Sequence, residues 1–428
     1  MKCSRYNIFF PYNDIVVGYN SLQNDFIFLS TELYELYNQT LSENINGLAD
    51  IHPDFWKLLV DKNFFVEDDT DELQNVKDLV HSIDCNPETY ILFINPTMNC
   101  NFKCWYCYET QIKGSKMDQS VIEKIKKNIS NKYEETKFKY LTISWFGGEP
   151  LLYFKQVVLP ILNYANEFVI GKDICLRSEF TTNGYLLNKE ILEHCKQLGV
   201  NHFQITLDGH RNRHNQVRFT KGNKGSYDVI VANIQKCIAM GIAVNCRINL
   251  SKETLTDDLA QIINDFSDIS EEDKKYLQFS FFKVWQDNSL LNTEIFDLIQ
   301  QFKDNNLPTK PYHKYNDTVR NPCYGDRMHH ATINYNGDVF KCTARDFKKE
   351  NREGVLLEDG NIQWNDKYFR RMDAKFKNPC CLSCKILPIC NGVCTQHLLE
   401  NNQDWCYHDL DENKKIEVVR EKLLYVLE

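Results

Sequence analysis

Apolar residues between positions 89 and 305 occur in short runs, and longer amphipathic stretches separate these runs. The runs are rich in β-branched and aromatic residues, whereas the stretches repeat apolar residues with the period of a helix. The runs predict strands at 90–96, 140–146, 174–182, 202–208, 243–250 and 276–284. The stretches predict helices between them, for example at 118–133, 187–198 and 227–240. Strands that alternate with helices indicate an α/β fold with a parallel sheet.

The first 85 residues follow a different pattern. Three β-rich runs separated by Asn and Asp turns come first, and a helix that begins after Ser30 follows them. The predicted strands and helices lie at 6–10, 15–19, 26–29, 31–37, 54–60 and 64–66. We therefore expect a separate small domain here, and we interpret residues 67–88 as a linker with a short helix.

The composition is that of a globular protein, since 43% of the 428 residues are hydrophobic and 25% are charged. This length predicts two or three domains. The net charge of −9 argues against bulk nucleic-acid binding, and no apolar run is long enough to cross a bilayer. The start of the chain does not have the pattern of a signal peptide, so we expect a cytoplasmic protein with no membrane partner.

Cysteine is the compositional outlier, with 17 residues. Because reducing cytosol disfavours disulfides, metal binding is the better interpretation of this content. Six cysteines are scattered singly, several of them in periodic apolar segments, and are interpreted as small core residues: Cys3, Cys85, Cys175, Cys195, Cys237 and Cys246. The other eleven fall into two groups, at 100–107 and 323–406.

The first group is the loop Cys100, Cys104 and Cys107, with spacing C-x3-C-x2-C, directly after the first strand of the α/β segment. Three thiolates can hold three corners of a [4Fe–4S] cluster, which usually takes four cysteines, so one iron stays open for another ligand. Zinc is the alternative for three nearby cysteines, although it normally takes four ligands. One strand later comes a turn made by Gly147, Gly148 and Glu149.

This combination of a three-cysteine loop and a GGE turn resembles the radical S-adenosylmethionine (SAM) superfamily. The resemblance implies a partial (β/α)6 barrel in which SAM chelates the open iron and is split to a 5'-deoxyadenosyl radical that abstracts hydrogen. It also implies that Gly147, Gly148 and Glu149 hold the SAM amino group. The chemistry would lie at the C-terminal ends of the strands.

Four further residues at these strand ends are assigned to SAM by the resemblance. Asn183 ends the third strand, and Thr206 near the end of the fourth takes the position of a hydroxyl that touches SAM. Arg218 matches an arginine near the SAM carboxylate, a role that suits its planar fork. Tyr106 lies between two cluster cysteines and would sit beside the adenine. No residue stands out as the catalytic base.

The second cysteine group has the spacing of an auxiliary-cluster domain. Gly337 precedes Cys342 in a G-x4-C pattern, and a hairpin turn at Asn336-Gly337-Asp338 predicts that Cys323 and Cys342 lie on strand ends. The group resembles the SPASM domain of radical SAM enzymes, although zinc is the alternative for its last cysteines alone. The resemblance implies a distal [4Fe–4S] cluster on Cys381, Cys384, Cys390 and Cys406, and a proximal one on Cys323, Cys342 and Cys394. With three ligands, the proximal cluster would keep an open iron for a substrate thiolate.

The N-terminal segment resembles the winged-helix-like recognition element of enzymes that modify ribosomal peptides. There a leader peptide adds as a strand to the sheet edge; a simple cap on the barrel is the alternative. The predicted domains are 1–85 (peptide recognition), 86–310 (radical SAM barrel), 311–410 (SPASM) and 411–428 (C-terminal helix).

These resemblances predict a radical SAM/SPASM oxidoreductase with three [4Fe–4S] clusters that installs a crosslink in a ribosomally made precursor peptide. A cysteine thioether is favoured over a carbon–carbon bond. Its partners would be the leader-bearing peptide and an electron donor such as flavodoxin or ferredoxin. The alternatives are an anaerobic sulfatase-maturating, formylglycine-forming enzyme and a non-enzymatic iron–sulfur or zinc scaffold. The former has an acidic residue directly after the second proximal cysteine, where this chain has Thr343.

Overall fold

The computed structural model describes residues 1–220, 222, 224–255, 258–287, 292–310, 319–401 and 406–427. The chain forms two compact units. The first comprises Met1–Asn86, His313–Met328 and Phe369–Glu428, and the second comprises Pro87–Tyr312 and His329–Tyr368. The four-part division made from the sequence stays a prediction, and its boundary at residue 311 lies outside the described residues.

The strands and helices are numbered in chain order. The strands are β1 (Lys2–Cys3), β2 (Asn7–Tyr12), β3 (Ile15–Asn20), β4 (Asp25–Leu29), β5 (Phe65–Val66), β6 (Thr89–Ile94), β7 (Tyr140–Trp145), β8 (Cys175–Thr182), β9 (Val200–Leu207), β10 (Ala243–Leu250), β11 (Leu277–Lys283), β12 (His330–Ile333), β13 (Asp338–Phe340), β14 (Gly354–Leu356) and β15 (Ile362–Trp364). The helices are α1 (Thr31–Ser42), α2 (Leu48–Ile51), α3 (Pro53–Asp61), α4 (Glu72–Asp84), α5 (Gln119–Thr136), α6 (Leu159–Val169), α7 (Lys189–Gln197), α8 (Arg211–Val217), α9 (Tyr227–Ala239), α10 (Ile262–Asp265), α11 (Asn292–Asp304), α12 (Asp366–Met372), α13 (Pro379–Leu382), α14 (Leu387–Cys390), α15 (Thr395–Glu400) and α16 (Glu412–Leu427). Short 3-10 helices lie at Ile45–Gly47, Pro150–Tyr153, Leu259–Gln261, Asp273–Tyr276, Tyr324–Asp326 and Lys349–Asn351, and a π-helical turn lies at Phe154–Val158.

The first unit is built on the antiparallel sheet β2-β3-β4, and β1 pairs with β5 beside it. One face of the sheet packs against α14 and α16, where Val17 and Tyr19 meet Ile389 and Val419. The other face packs against α1 and α3. The sheet is therefore buried on both sides, once by the helices that follow it and once by the end of the chain.

The second unit contains a ten-stranded sheet in the order β11-β10-β9-β8-β7-β6-β12-β13-β14-β15. Strands β6 to β11 are parallel neighbours, and β12 adds parallel to β6 before β13, β14 and β15 continue as antiparallel strands. Alternate residues of the parallel strands enter the core formed with the helices, for example Phe203 and Ile205 on β9 and Cys246 on β10. The residues between them face the interior side of the sheet, and many of these are polar.

The α/β fold with a central parallel sheet is confirmed, and β6 to β11 begin and end within two residues of the predicted strands. Two local predictions are wrong. Cys323 is not on a strand end, because it precedes a 3-10 turn and β12 begins only at His330. Residues 67–88 are not a linker, because α4 has thirteen residues and buries Val76 and Val80.

Candidate functional site

The predicted site residues of the second unit lie after the C-terminal ends of four neighbouring parallel strands. The cysteine loop follows β6, the GGE turn follows β7, Asn183 follows β8, and Thr206 lies near the end of β9. Because the carboxyl ends of parallel strands meet at the same edge of a sheet, the fold brings these residues to one side. This edge is where ligands bind in parallel α/β folds.

The three loop cysteines are close enough to influence one another electrostatically. Cys100 and Cys104 are half-buried and Cys107 is exposed. Burial raises the pKa of the Cys100 thiol to about 12 and that of Cys107 to about 11, and it also raises the pKa of Cys104. Such thiols give up their protons when metal binds. Across the described part of the chain, no three His, Cys, Asp or Glu side chains are close enough to hold a single metal ion; a cubane spreads its thiolates over several irons.

The GGE turn packs directly against the residues that lead into the cysteine loop. Gly147 and Gly148 have φ angles of 72° and 49°. A Cβ on Gly148 would lie 2.4 Å from the carbonyl oxygen of Asn99, and one on Gly147 would lie 2.6 Å from the Cβ of Asn95. Both the backbone conformation and the contact therefore require glycine at these positions.

The buried Glu149 carboxylate joins the GGE turn to the end of β8. It accepts hydrogen bonds from Thr182 Oγ1 at 2.7 Å, from the backbone N–H of Asn183 at 2.8 Å and from that of Leu151 at 3.0 Å. Burial raises the Glu149 pKa even though these donors lower it. Glu149 thus anchors the chain around the cysteine loop, and its contact with SAM stays a prediction.

Asn183 reaches the cysteine loop through its side chain. Its Nδ2 donates to Asn101 Oδ1 at 2.7 Å and lies 3.9 Å from Cys100 Sγ. Asn101 Nδ2 is buried and makes no hydrogen bond within the described structure. The loop thus has an unsatisfied polar group next to its first cysteine, which fits a site that is completed by a ligand.

Tyr106 and Arg218 meet at a carboxylate that the sequence interpretation did not select. Asp208 Oδ2 accepts from Tyr106 Oη at 2.6 Å and from Arg218 Nη1 at 3.0 Å. The same Nη1 lies 2.8 Å from Tyr106 Oη, so the three groups form a closed triangle. Arg218 is buried, its Nε has no hydrogen-bond partner in the described structure, and its guanidinium lies 5.6 Å from the Phe102 ring centroid. In the sequence, Asp208 could have been found because it follows Thr206, a predicted SAM contact, by two residues.

A second layer of hydrogen bonds supports this triangle. The backbone N–H of Asp208 donates to His214 Nδ1 at 3.2 Å, and His214 Nε2 lies 3.0 Å from Ser226 Oγ. Ser226 Oγ donates in turn to the carbonyl oxygen of Arg218 at 2.7 Å. Burial lowers the pKa of His214 well below its usual value, with a further lowering from Arg218, so the imidazole is neutral and can accept from Asp208.

The segment after the cysteine loop is anchored on residues that follow Cys342. Tyr108 Oη donates to the carbonyl oxygen of Thr343 at 2.7 Å, and the backbone N–H of Thr110 donates to Asp346 at 2.8 Å. Glu109 accepts from the backbone N–H of Gly148 at 2.7 Å, and burial raises its pKa to about 7. Glu109 was also missed from the sequence, since only the three-dimensional packing places it on the GGE turn.

In the first unit, the four cysteines predicted for the distal cluster line one pocket. They are Cys381, Cys384, Cys390 and Cys406. Burial raises the pKa of Cys381 to about 11 and that of Cys390 to about 12. The pocket also contains Cys380, apolar side chains and Lys415 of α16. The sequence spacing therefore brings together four thiols that suit an iron–sulfur cluster.

The three cysteines predicted for the proximal cluster belong to different parts of the fold. Cys323 lies before a 3-10 turn and Cys394 lies before α15, both in the first unit. Cys342 follows β13 in the second unit. Their assignment to one cluster stays a prediction.

The fold and site together define an α/β enzyme with a cysteine loop at the C-terminal ends of the parallel strands. Residues 94–266 match the radical SAM superfamily. These residues form a radical SAM domain. The domain implies a [4Fe–4S] cluster and SAM as cofactors.

Two relatives match different lengths of the chain. The radical SAM cyclopropyl synthase TigE of Paramaledivibacter caminithermalis is 22% identical over 395 residues, which are 85% of this chain and 79% of that protein. The Fe-coproporphyrin III synthase of Methanosarcina barkeri is 27% identical over 180 residues, which are 42% of this chain and 40% of that protein. The chain thus matches less than half the length of the second relative and most of the first.

Two solved structures share the fold. Streptococcus suis SuiB bound to the precursor peptide SuiA aligns with a TM-score of 0.56 at 15% identity and covers 96% of this chain and 99% of its own. Native anSMEcpe with bound AdoMet aligns with a TM-score of 0.59 at 16% identity and covers 79% of this chain and 98% of its own. Among the described residues, no helix combines the length and apolar character needed to span a membrane.

Proposed function

We propose that this radical SAM enzyme installs a crosslink in a ribosomally synthesised precursor peptide. The observation that carries the proposal is the extent of the matches to TigE and to SuiB, which include the regions before and after the radical SAM domain. SuiB has been captured with its precursor peptide. A fold likeness at this identity supports the architecture only, so the peptide substrate and the bond formed belong to the proposal.

The residues of the second unit would bind and orient SAM. When bound, the cluster and SAM supply a 5'-deoxyadenosyl radical that abstracts hydrogen. Cys100, Cys104 and Cys107 would ligate the cluster. The rigid turn at Gly147 and Gly148 would present its backbone to the SAM amino group, while Asn183, Thr206, Tyr106 and Arg218 would line the rest of the ligand.

A thioether is the favoured bond. The peptide would lose one hydrogen atom from a carbon and one proton from a cysteine thiol, and one electron would have to leave for an acceptor. We propose that auxiliary clusters on the second cysteine group accept this electron. One cluster would be held by Cys381, Cys384, Cys390 and Cys406, and the other by Cys323, Cys342 and Cys394. A flavodoxin or ferredoxin in the cytoplasm would supply the electron that starts the reaction.

A sulfatase-maturating activity is less well supported. The anSMEcpe structure covers less of this chain than SuiB does. At the position after Cys342, Thr343 offers its carbonyl oxygen to Tyr108 and has no carboxylate that could act as a general base. The radical SAM domain also argues against the alternative of a non-enzymatic iron–sulfur or zinc scaffold.

The proposal is tested first on SAM alone. Anaerobically reconstituted protein with dithionite and SAM should release 5'-deoxyadenosine, and Cys104→Ala should abolish this release. Cys175→Ala is the matched control, because Cys175 is an exposed single cysteine outside both groups. If Cys104→Ala releases 5'-deoxyadenosine at the wild-type rate, the proposal that this loop holds the cluster is ruled out.

The peptide step is tested by co-expression with short peptides encoded next to the gene. Mass spectrometry of a modified peptide should show the loss of two hydrogens, and the fragments should place the new bond at a cysteine. A formylglycine in a neighbouring sulfatase would instead establish the alternative function.

A further inference from the structure

Lys415 lies on the buried face of the last helix, α16. It precedes Val418, Val419 and Leu423 by three, four and eight residues, so the four side chains lie on one side of the helix. The three apolar residues are buried among residues of β2, β3 and α14. Lys415 is buried as well, with 7% of its surface exposed. Lysine is almost never buried unless it is paired with a negative charge.

The ion pair that Lys415 makes within α16 compensates its charge only in part. Its ammonium pairs with the carboxylate of Glu412, one helical turn earlier. The side chain of Glu412 is 70% exposed, whereas that of Lys415 is 9% exposed. Because water screens an exposed carboxylate, the buried ammonium still acts on charges inside the protein.

The groups on which Lys415 acts are the cysteines of the predicted distal cluster. Lys415 lines the same pocket as these four thiols, in the first unit. Its charge interacts electrostatically with Cys381, Cys384 and Cys406. Three of the four predicted ligands therefore lie within reach of one ammonium group.

Lys415 is the single cation of this pocket. Among the described residues that line the pocket, no other lysine or arginine is present, and most of the remaining side chains are apolar. The backbone N–H of His408 donates to Cys406 Sγ at 3.4 Å. The pocket thus offers four thiols, a backbone donor to sulfur and one ammonium, a set that fits a negatively charged iron–sulfur cluster.

A buried cation beside such a cluster has a defined effect on its redox chemistry. A [4Fe–4S] cluster with four thiolate ligands carries a net negative charge, and reduction adds one more. The attraction of a nearby cation grows with that charge, so the cation stabilises the reduced form more than the oxidised form. Net charge and hydrogen bonds to the sulfur atoms are among the features that set cluster potentials. Packing alone would favour an apolar residue at this position.

We propose that Lys415 raises the reduction potential of the cluster in this pocket, which enables the cluster to take up the electron that crosslinking releases. In that step the peptide intermediate loses one electron and the oxidised cluster gains it. The inference rests on the proposed function for the origin of the electron, and on the four distal cysteines for the cluster. It gives α16 a role in electron transfer besides packing.

The reduction potentials are measured by EPR-monitored redox titration of the reconstituted full chain without peptide. The signal that is absent from Cys384→Ala belongs to the distal cluster. Lys415→Met should shift the midpoint of that signal to a more negative potential and leave the other signals unchanged. Lys415→Arg, which keeps the charge, should stay close to the wild type. Lys414→Gln is the matched control, because Lys414 is the exposed neighbour on the same helix and pairs with Asp409.

The melting temperature of the apoprotein separates a charge effect from a packing effect. Without iron the buried ammonium of Lys415 has only an exposed partner, so Lys415→Met apoprotein should melt at or above the wild-type temperature. If Lys415→Met does not load the distal cluster, Glu412→Gln decides the question. Loss of that counter-charge should shift the distal midpoint to a more positive potential, and an unchanged midpoint would then overturn the inference.

Two other results would also overturn it. The first is a wild-type distal midpoint in Lys415→Met that carries its full iron content, and a lower melting temperature of the apoprotein would then assign Lys415 to packing. The second is an equal shift in Lys414→Gln, which would show an effect of net charge alone.

The two proposals can fail separately, because the midpoint is measured without peptide. A chain that crosslinks no peptide would overturn the proposed function and leave the effect of Lys415 measurable. A chain that crosslinks its peptide, with the same distal midpoint in Lys415→Met, would overturn only this inference. Full iron content in Cys384→Ala would overturn it as well, since the pocket would then hold no cluster.

Discussion

The two cysteine sites of this chain differ in what surrounds the sulfur atoms. Around Cys100, Cys104 and Cys107 the ends of neighbouring strands bring polar and charged groups, including Glu149 and Arg218. Around Cys381 and the other distal cysteines the walls are largely apolar, with Ile386, Leu387 and Val393 among them. The first site has three thiols and unsatisfied donors, whereas the second has four thiols in one pocket. The first site therefore suits a ligand besides a cluster, whereas the predicted distal site would suit a cluster alone.

The sharpest way to separate the two sites is to remove one distal cysteine. We expect Cys384→Ala to lower the iron content of reconstituted protein from about twelve to about eight per chain, because the pocket loses one of four ligands. Peptide modification should be lost, whereas SAM cleavage without peptide should continue. Iron analysis and 5'-deoxyadenosine assays measure both.

Cys380→Ala is the matched control for this experiment. Cys380 is exposed and adjacent to Cys381 in sequence, but it is outside the predicted ligand set. Its iron content should equal that of the wild type. An equal loss of iron in both variants, or loss of SAM cleavage in Cys384→Ala, would contradict the independence of the two sites.

The first site can be disrupted by a substitution in the GGE turn, without mutating a cysteine. Gly148→Ala would place a Cβ 2.4 Å from the Asn99 carbonyl oxygen, in a backbone where φ is 49°. The backbone must shift next to Cys100, so we expect SAM binding to fall by about a hundredfold or more, which corresponds to about 3 kcal/mol. Equilibrium binding of SAM to the reconstituted protein measures this loss.

Gly114→Ala isolates the backbone strain from the contact. Gly114 also has a positive φ, of 78°, but no atom lies within 4 Å of the position of its Cβ. This variant should lose only about 1–2 kcal/mol of stability and should bind SAM normally. Weakened SAM binding by Gly114→Ala to the same extent would show that general strain, and not the contact with the cysteine loop, causes the effect.

The charge balance of the first site is tested at Asp208. Asp208→Asn keeps the shape of the side chain but leaves Arg218 without its counter-charge, and breaking a buried ion pair in this way costs about 3–5 kcal/mol of stability. Urea unfolding under anaerobic conditions measures the change. Asp228→Asn removes one of the two carboxylate partners of the half-exposed Arg211 and should cost less than about 1 kcal/mol. Similar losses in both variants would contradict the structural importance of the Asp208 triangle.

The sequence predicted the parts of this site that depend on local spacing. Strand periodicity gave β6 to β11, and the cysteine and glycine motifs gave the residues at their ends. Asp208 and Glu109 were not selected, because a lone carboxylate in a loop has many possible roles. Their roles depend on which groups the fold places beside them, and that information is not contained in any short segment.

The bounds of the short strands were missed for a related reason, although the hairpin turn between β12 and β13 was predicted. Strands β12 to β15 have three or four residues each, which is too few for a period of two to stand out. Their stability comes from pairing, since β12 adds to the edge at β6. The placement of Cys323 failed in the same way, because a hairpin turn at Gly337 fixes the strand ends next to it but says nothing about residues further upstream.

The smallest expected effect at the first site comes from the neutral His214, which accepts a hydrogen bond from the backbone N–H of Asp208. Its pKa in the folded protein is well below the unfolded value of about 6.5, so below that pH the unfolded chain binds more protons than the native chain. Stability should therefore fall as the pH drops below about 6.5, with a contribution from this group of up to about 1.4 kcal/mol per pH unit. His214→Asn keeps an acceptor for the Asp208 N–H but cannot become charged, so the fall between about pH 6.5 and pH 5 should be shallower. Urea unfolding at several pH values measures the slope.

His81→Asn, which removes an exposed imidazole on α4, should leave the slope as it is in the wild type. An unchanged slope in His214→Asn would mean that the imidazole is charged in the folded protein, and the hydrogen bond that positions Asp208 would then have to run differently.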